Sequence, residues 1–150
     1  MPIAFRPRTS WTWLPRISRP VPEPTDAEFP FILLTGRGTS AQWHTNTRTA
    51  KSAILRRLYP AECYVEIHPD DAARLGIHRD SKVRIRSRRA GLEANAFITT
   101  PARPGQVFLP FHYAEFNSNQ VTQSAFDPIS REPNYKQCAV RVERSSNPRI

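Results

Sequence analysis

The stretch FPFILLTGRGTSAQWHTNTRT, Phe29–Thr49, changes character half-way along, and that change decides how the chain is built. Phe29 to Leu34 is an apolar run that stops at Gly36, which predicts a fully buried strand. From Thr35 to Thr49 the side chains become glycines, an arginine, hydroxyls, a tryptophan and a histidine. Such residues build little core and are suited to holding a ligand. Gly36 and Gly38 flank Arg37, and glycine lets a backbone come close to a ligand and turn its N–H groups inward. Backbone N–H groups of that kind cradle phosphate, and arginine grips it with two parallel hydrogen bonds. Thr35, Thr39 and Ser40 add short hydroxyl donors, although a plain glycine turn accounts for the same residues. Trp43 offers a flat stacking face and His44 a donor or acceptor, with Thr45, Asn46 and Thr47 following. The plain alternative there is a buried tryptophan beside a structural histidine.

Outward from this stretch the pattern is mostly β. Ala50 to Leu58 carries Ile54, Leu55 and Leu58 at helical spacing, so a short helix ending before Pro60 is expected. Tyr64 to Ile67 alternates as a strand. His68-Pro69-Asp70-Asp71 opens a helix, with His68 or Pro69 at its start and acids in its first turn, and Gly76 closes it as the C′ residue. Lys82 to Ser87 and Leu92 to Thr99 read as a hairpin around Arg89-Ala90-Gly91, with Val83 and Ile85 inward. Gln106 to Pro110 and Cys138 to Val142 are further strands. Many short strands with small helices imply a closed or nearly closed barrel. The long loops 35–49 and 112–137 are of a length that is usually functional or disordered.

Residues 1–28 form an extended, proline- and arginine-rich arm, because Pro15, Pro20, Pro22 and Pro24 deny it a helix or central strand. Residues 29–143 form the barrel, and 144–150 a frayed tail. The 150 residues suit one domain, and 39% apolar residues are enough for a core. No run reaches the roughly 18 apolar residues of a membrane helix, and residues 1–24 have no signal-peptide h-region. The expected location is therefore the cytoplasm. Net charge is +9, which fits a nucleic acid, an acidic partner or an anionic ligand. Arg84, Arg86 and Arg88 alternate onto one strand face, which a solvated face explains without a ligand. Aromatic side chains do not share a strand with these arginines, which argues against an RNA-binding sheet. Cys63 and Cys138 form no CxxC pattern and read as buried thiols acting as small hydrophobes.

The second loop supplies His112, Tyr113, Asn117, Asn119, Thr122, Asp127, Tyr135 and Lys136. Amides and carboxylates can read a purine edge, and lysine can meet a phosphate. Asp127-Pro128 is equally well a turn. His68 and His78 sit beside helix ends and read as caps or surface residues. No nucleophile elbow, phosphate-binding P-loop or dinucleotide fingerprint is present. If a cofactor binds, it must carry the chemistry.

FPFILLTGRGTSAQWHTNTRT, VEIHPDDAARLGI, VRIRSRRAGLEANAFITTPARPGQVFLPFHYAE and NQVTQSAFDPISREPNYKQCAVRVE occur in that order. Together, over about residues 26–143, they resemble the C-terminal domain of the molybdopterin oxidoreductases, nearest to assimilatory nitrate reductase and similar to formate dehydrogenase. The resemblance implies a six-stranded double-psi β-barrel that binds one of two molybdopterin guanine dinucleotides (Mo-bis-MGD) and closes over the metal. It implies cofactor contacts from Thr35, Gly36, Arg37, Gly38 and Thr39, and from Trp43, His44, Thr45 and Thr47. His112, Asn119, Tyr135 and Lys136 complete the implied set. Asn46 stands where the family pattern has Gly or Gln. The [4Fe–4S] cysteines and the molybdenum ligand of a complete enzyme are not among these residues, and Cys63 and Cys138 cannot hold a four-cysteine cluster by themselves. They are expected on a larger catalytic polypeptide that reduces nitrate, or, alternatively, handles formate.

Overall fold

The computed structural model describes residues 21–38, 43 and 45–145. Its strands are β1 (Phe31–Gly36), β2 (Tyr64–Ile67), β3 (Lys82–Arg86), β4 (Gly91–Ile98), β5 (Gln106–Pro110) and β6 (Gln137–Arg144), with one α-helix, α1 (Pro69–Arg74), among the described residues. The strands close into a barrel in the order β1-β5-β2-β4-β3-β6. β1–β5 and β2–β4 are parallel, and the remaining neighbours are antiparallel. This is the double-psi β-barrel. Closure leaves no strand edge to pair with another chain.

Alternation fills the interior. Phe31 and Leu33 of β1, Val65 and Ile67 of β2, Val83 and Ile85 of β3, Val107 and Leu109 of β5, and Val140 and Val142 of β6 are all buried. β1 is therefore not buried on both faces, as the apolar run predicts: Leu34 is exposed and Ile32 half-buried. In a closed barrel only every second residue points inside. β1 also starts later than expected, since the Asp26 carboxylate accepts from the backbone N–H groups of Glu28 and Phe29 and holds them in a turn.

The helix expected over Ala50–Leu58 is instead two 3₁₀ turns, Thr49–Lys51 and Leu55–Leu58. Ile54 is 75% and Leu58 62% exposed, so the helical spacing finds no core to face, and a short helix is marginal without tertiary packing. α1 matches its expectation. His68 caps it, its Nδ1 accepting from Asp70 N at 3.2 Å. Gly76, at φ +64°, ends it with Gly76 N donating to Ala73 O and Ile77 N to Ala72 O. Arg84 and Arg86 lie outward on β3, whereas Arg88 falls beyond the end of that strand. Arg88 pairs with Glu23 at 2.6 Å and with Asp26, Arg89 pairs with Glu23 at 2.8 Å, and Arg86 with Glu28 at 3.5 Å. These pairs tie segment 21–30 to the β3–β4 hairpin, and Phe29 is buried beneath Arg88.

Candidate functional site

The topology brings the two long loops to one end of the barrel. β1 and β5 run parallel, with Gly36 opposite Pro110, so both release their following loops on the same side. β6 is antiparallel to β1, and its start at Gln137 lies opposite Leu34, so the second loop returns there. The chain segments meet directly. Thr35 Oγ1 donates to Tyr135 O at 2.9 Å, and Thr35 N donates to Lys136 O at 3.1 Å. Phe111 N donates to Gly36 O at 3.1 Å.

Gly38 is a glycine for a measurable reason. A Cβ there would lie 2.4 Å from Tyr64 Oη and 2.8 Å from Pro110 Cγ. Tyr64 Oη donates to Gly38 O at 3.3 Å, which holds the strap against the barrel rim. Arg37, between the two glycines, is exposed and makes no ion pair among the described residues. Further along the first loop Thr45 and Asn46 both take positive φ, +53° and +72°. Asparagine tolerates that left-handed conformation better than most residues, which suits a position where the family pattern admits glycine. Asn46 O accepts from Ala50 N and Asn46 Oδ1 from Thr49 Oγ1, both at 2.9 Å. Trp43 is 64% exposed, so it is not the buried tryptophan of the plain alternative. Thr45 and Thr47 are exposed. Thr39 and His44 lie outside the described residues.

In the second loop His112 is buried, and neither Nδ1 nor Nε2 has a hydrogen-bond partner. Burial pushes its imidazole down to about 4. Tyr113 beside it is buried and donates to Pro60 O at 2.7 Å. Asn119 sits in the 3₁₀ turn Ser118–Gln120, which Asn117 caps by accepting from Asn119 N. The Asn119 side chain is exposed. Val121, just past that turn, is tied to β6, accepting from Cys138 Sγ. Lys136 is exposed, its Nζ 5.7 Å from the centre of the Tyr135 ring. Asp127 takes its turn reading: Oδ1 accepts from Ile129 N, Ser130 N and Ser130 Oγ.

The structure thus gathers Thr35, Gly36 and Gly38 with Tyr135 and Lys136, with His112 next to Phe111 at the edge of the group. It adds Tyr64, which sequence reasoning treats only as a strand residue. No local signal marks Tyr64, because its partner lies 26 positions away. Among the described residues no set of three His, Cys, Asp or Glu side chains converges to hold a metal. Cys63 and Cys138 are buried and unpaired, and burial pushes their thiols up to about 12 and about 11. The donor set fits an anionic dinucleotide: two exposed cations, a close backbone, and a buried imidazole with open valences.

The family model described as Molydopterin dinucleotide binding domain matches residues 31–139. The chain belongs to this molybdopterin dinucleotide-binding family. Among similar proteins is the F420-dependent formate dehydrogenase 1 subunit alpha of Methanococcus maripaludis. It is 42% identical over 122 residues, 81% of this chain and 18% of that protein. The periplasmic nitrate reductase of Desulfovibrio desulfuricans is 38% identical over 133 residues, 89% of this chain and 17% of that protein. The chain therefore spans under a fifth of the length of these relatives. Acetylene hydratase from Pelobacter acetylenicus shares the fold, with a TM-score of 0.66 at 17% identity over 79% of this chain and 19% of that one. The matched region is thus a small part of much longer polypeptides in these relatives. No helix among the described residues is long and apolar enough to cross a membrane.

Proposed function

We propose that this chain holds molybdopterin guanine dinucleotide at the loop end of its barrel, as the cofactor-binding domain of a cytoplasmic molybdenum oxidoreductase. The observation that carries the reading is the glycine strap Thr35–Gly38, which contains the exposed Arg37 and is hydrogen-bonded to Tyr135 and the exposed Lys136. Arg37 neutralises the pyrophosphate and grips it through its planar fork, while Lys136 adds a point charge. Gly36 and Gly38 let the backbone reach phosphate oxygens, and Thr39, Thr45 and Thr47 supply hydroxyl donors. Trp43 and Tyr135 offer faces for stacking, and His44 and Asn119 offer hydrogen bonds to a base edge. When bound, the Mo-bis-MGD centre supplies the redox chemistry; this chain supplies binding, orientation and charge. The iron–sulfur cluster and the molybdenum ligand then come from a larger catalytic polypeptide.

The resemblance to assimilatory nitrate reductase makes nitrate the first reading of that enzyme's substrate. The 42% identity to a formate dehydrogenase subunit supports formate as the second reading. The test is capture of the tagged chain from its native cells, with molybdenum, guanine nucleotide and iron measured together. Recovery of all three with a larger polypeptide supports the proposal, and recovery of the chain alone and free of both metal and nucleotide overturns it. Nitrate- and formate-dependent dye turnover by the captured complex then separates the two substrates.

A further inference from the structure

His112 stands apart from the other polar groups at this end of the barrel. Its relative exposure is 8%, yet neither ring nitrogen meets a donor or acceptor. A buried polar group without a partner is costly, and the described residues supply none, so the ring is suited to a partner from outside them. The surroundings narrow the chemistry of that partner. Tyr59 stands edge-on to the ring, 5.3 Å between centroids at 89°. Tyr113 lies tilted against it at 3.9 Å. Among the described residues no ion pair involves His112, and burial is the cause of its shifted titration. An aromatic, uncharged setting of this kind disfavours an imidazolium and hence a phosphate partner.

A neutral imidazole carries one N–H donor and one bare acceptor nitrogen, and its tautomer follows its partner. It therefore matches a planar edge that offers both donors and acceptors. Guanine and pterin share one such edge, the 2-amino-4-oxopyrimidine. We propose that His112 contacts that edge of the bound dinucleotide, whereas Arg37 and Lys136 meet its pyrophosphate. This rests on the cofactor reading above and adds a division of labour within the site: charge on the strap, uncharged base reading at the aromatic corner. In this role His112 is a positioning and specificity residue.

The test uses the full chain labelled with 15N, following the His112 ring nitrogens, Arg37 Nε and Lys136 Nζ by NMR. The probes are guanosine, pterin, inorganic pyrophosphate and GDP. The expected result is that guanosine or pterin moves one His112 nitrogen, and which of the two does so identifies the base. Pyrophosphate should move Arg37 and Lys136 and leave His112 in place. If GDP moves Arg37 and Lys136 while neither guanosine nor pterin moves His112, this inference fails and the cofactor reading stands. Movement of His112 by pyrophosphate also overturns it. If no probe moves any of the three residues, both readings fail. In the captured complex, His112→Phe should release guanine nucleotide about tenfold faster, the scale of one lost hydrogen bond. His112→Gln, which keeps a neutral donor and acceptor, should retain it; equal loss from both variants would mark a packing role only.

Discussion

Single residues carry the sharpest consequences. Arg37 is exposed and contributes charge rather than packing, so Arg37→Ala should weaken dinucleotide binding by about 1.5–3 kcal/mol, the range of a charge-assisted hydrogen bond. Thermal unfolding of the unliganded variant should stay where it is, and calorimetric titration measures the binding loss. Gly38 behaves in the opposite way. A methyl placed 2.4 Å from Tyr64 Oη and 2.8 Å from Pro110 Cγ forces the strap off the rim. Gly38→Ala should cost about 1–3 kcal/mol in denaturant unfolding through overpacking. His112 sets a pH dependence. Its folded-state titration is lowered from the ordinary 6.5 to about 4, so between those values the unfolded chain binds more protons than the folded one. Stability should therefore fall as pH drops through that window, and His112→Phe should remove this part of the slope in melts recorded between pH 7 and 4. The residues that the family pattern names were legible as types: glycine, arginine, hydroxyl, amide. The need for glycine at position 38 was not, because Tyr64 and Pro110 come from strands that only the fold brings beside it.

Elements separate apolar residues that build the core from apolar residues that do not. Ile54 and Leu58 repeat at helical spacing, yet they stand exposed on 3₁₀ turns. Ile54→Ser and Leu58→Ser should each change stability by less than about 0.5 kcal/mol. Ile67, fully buried on β2, should cost about 2–5 kcal/mol on truncation to alanine. Chemical denaturation of the three variants side by side tests the contrast. Helix α1 was readable in advance because its signals are local: a cap at His68, acids in the first turn and Gly76 at the C′ position. The segment 50–58 was misread because spacing alone says nothing about whether a core lies within reach.

At the scale of the whole molecule, closure and charge act together. The barrel has no open edge, and its loop end carries exposed cations in a chain of net charge +9. Binding to the folded state alone stabilises that state, so dinucleotide at about 100 times its dissociation constant should add roughly 2.7 kcal/mol. A thermal melt with and without added cofactor measures this, and an unchanged melting temperature would count against a folded, binding-competent site.

The amino-acid sequence by itself determined the strand-rich architecture, the capped helix, the two loops rich in polar and aromatic residues and the family. Each of these depends on local alternation, turn chemistry or motif order, all carried by neighbours in the chain. The tertiary structure alone decided that both loops share one end, that Thr35 joins Tyr135 and Lys136 across 100 positions, and that His112 is buried without a partner. These follow from the parallel pairing of β1 with β5 and the closure through β6, contacts between residues far apart in the chain that no local periodicity encodes.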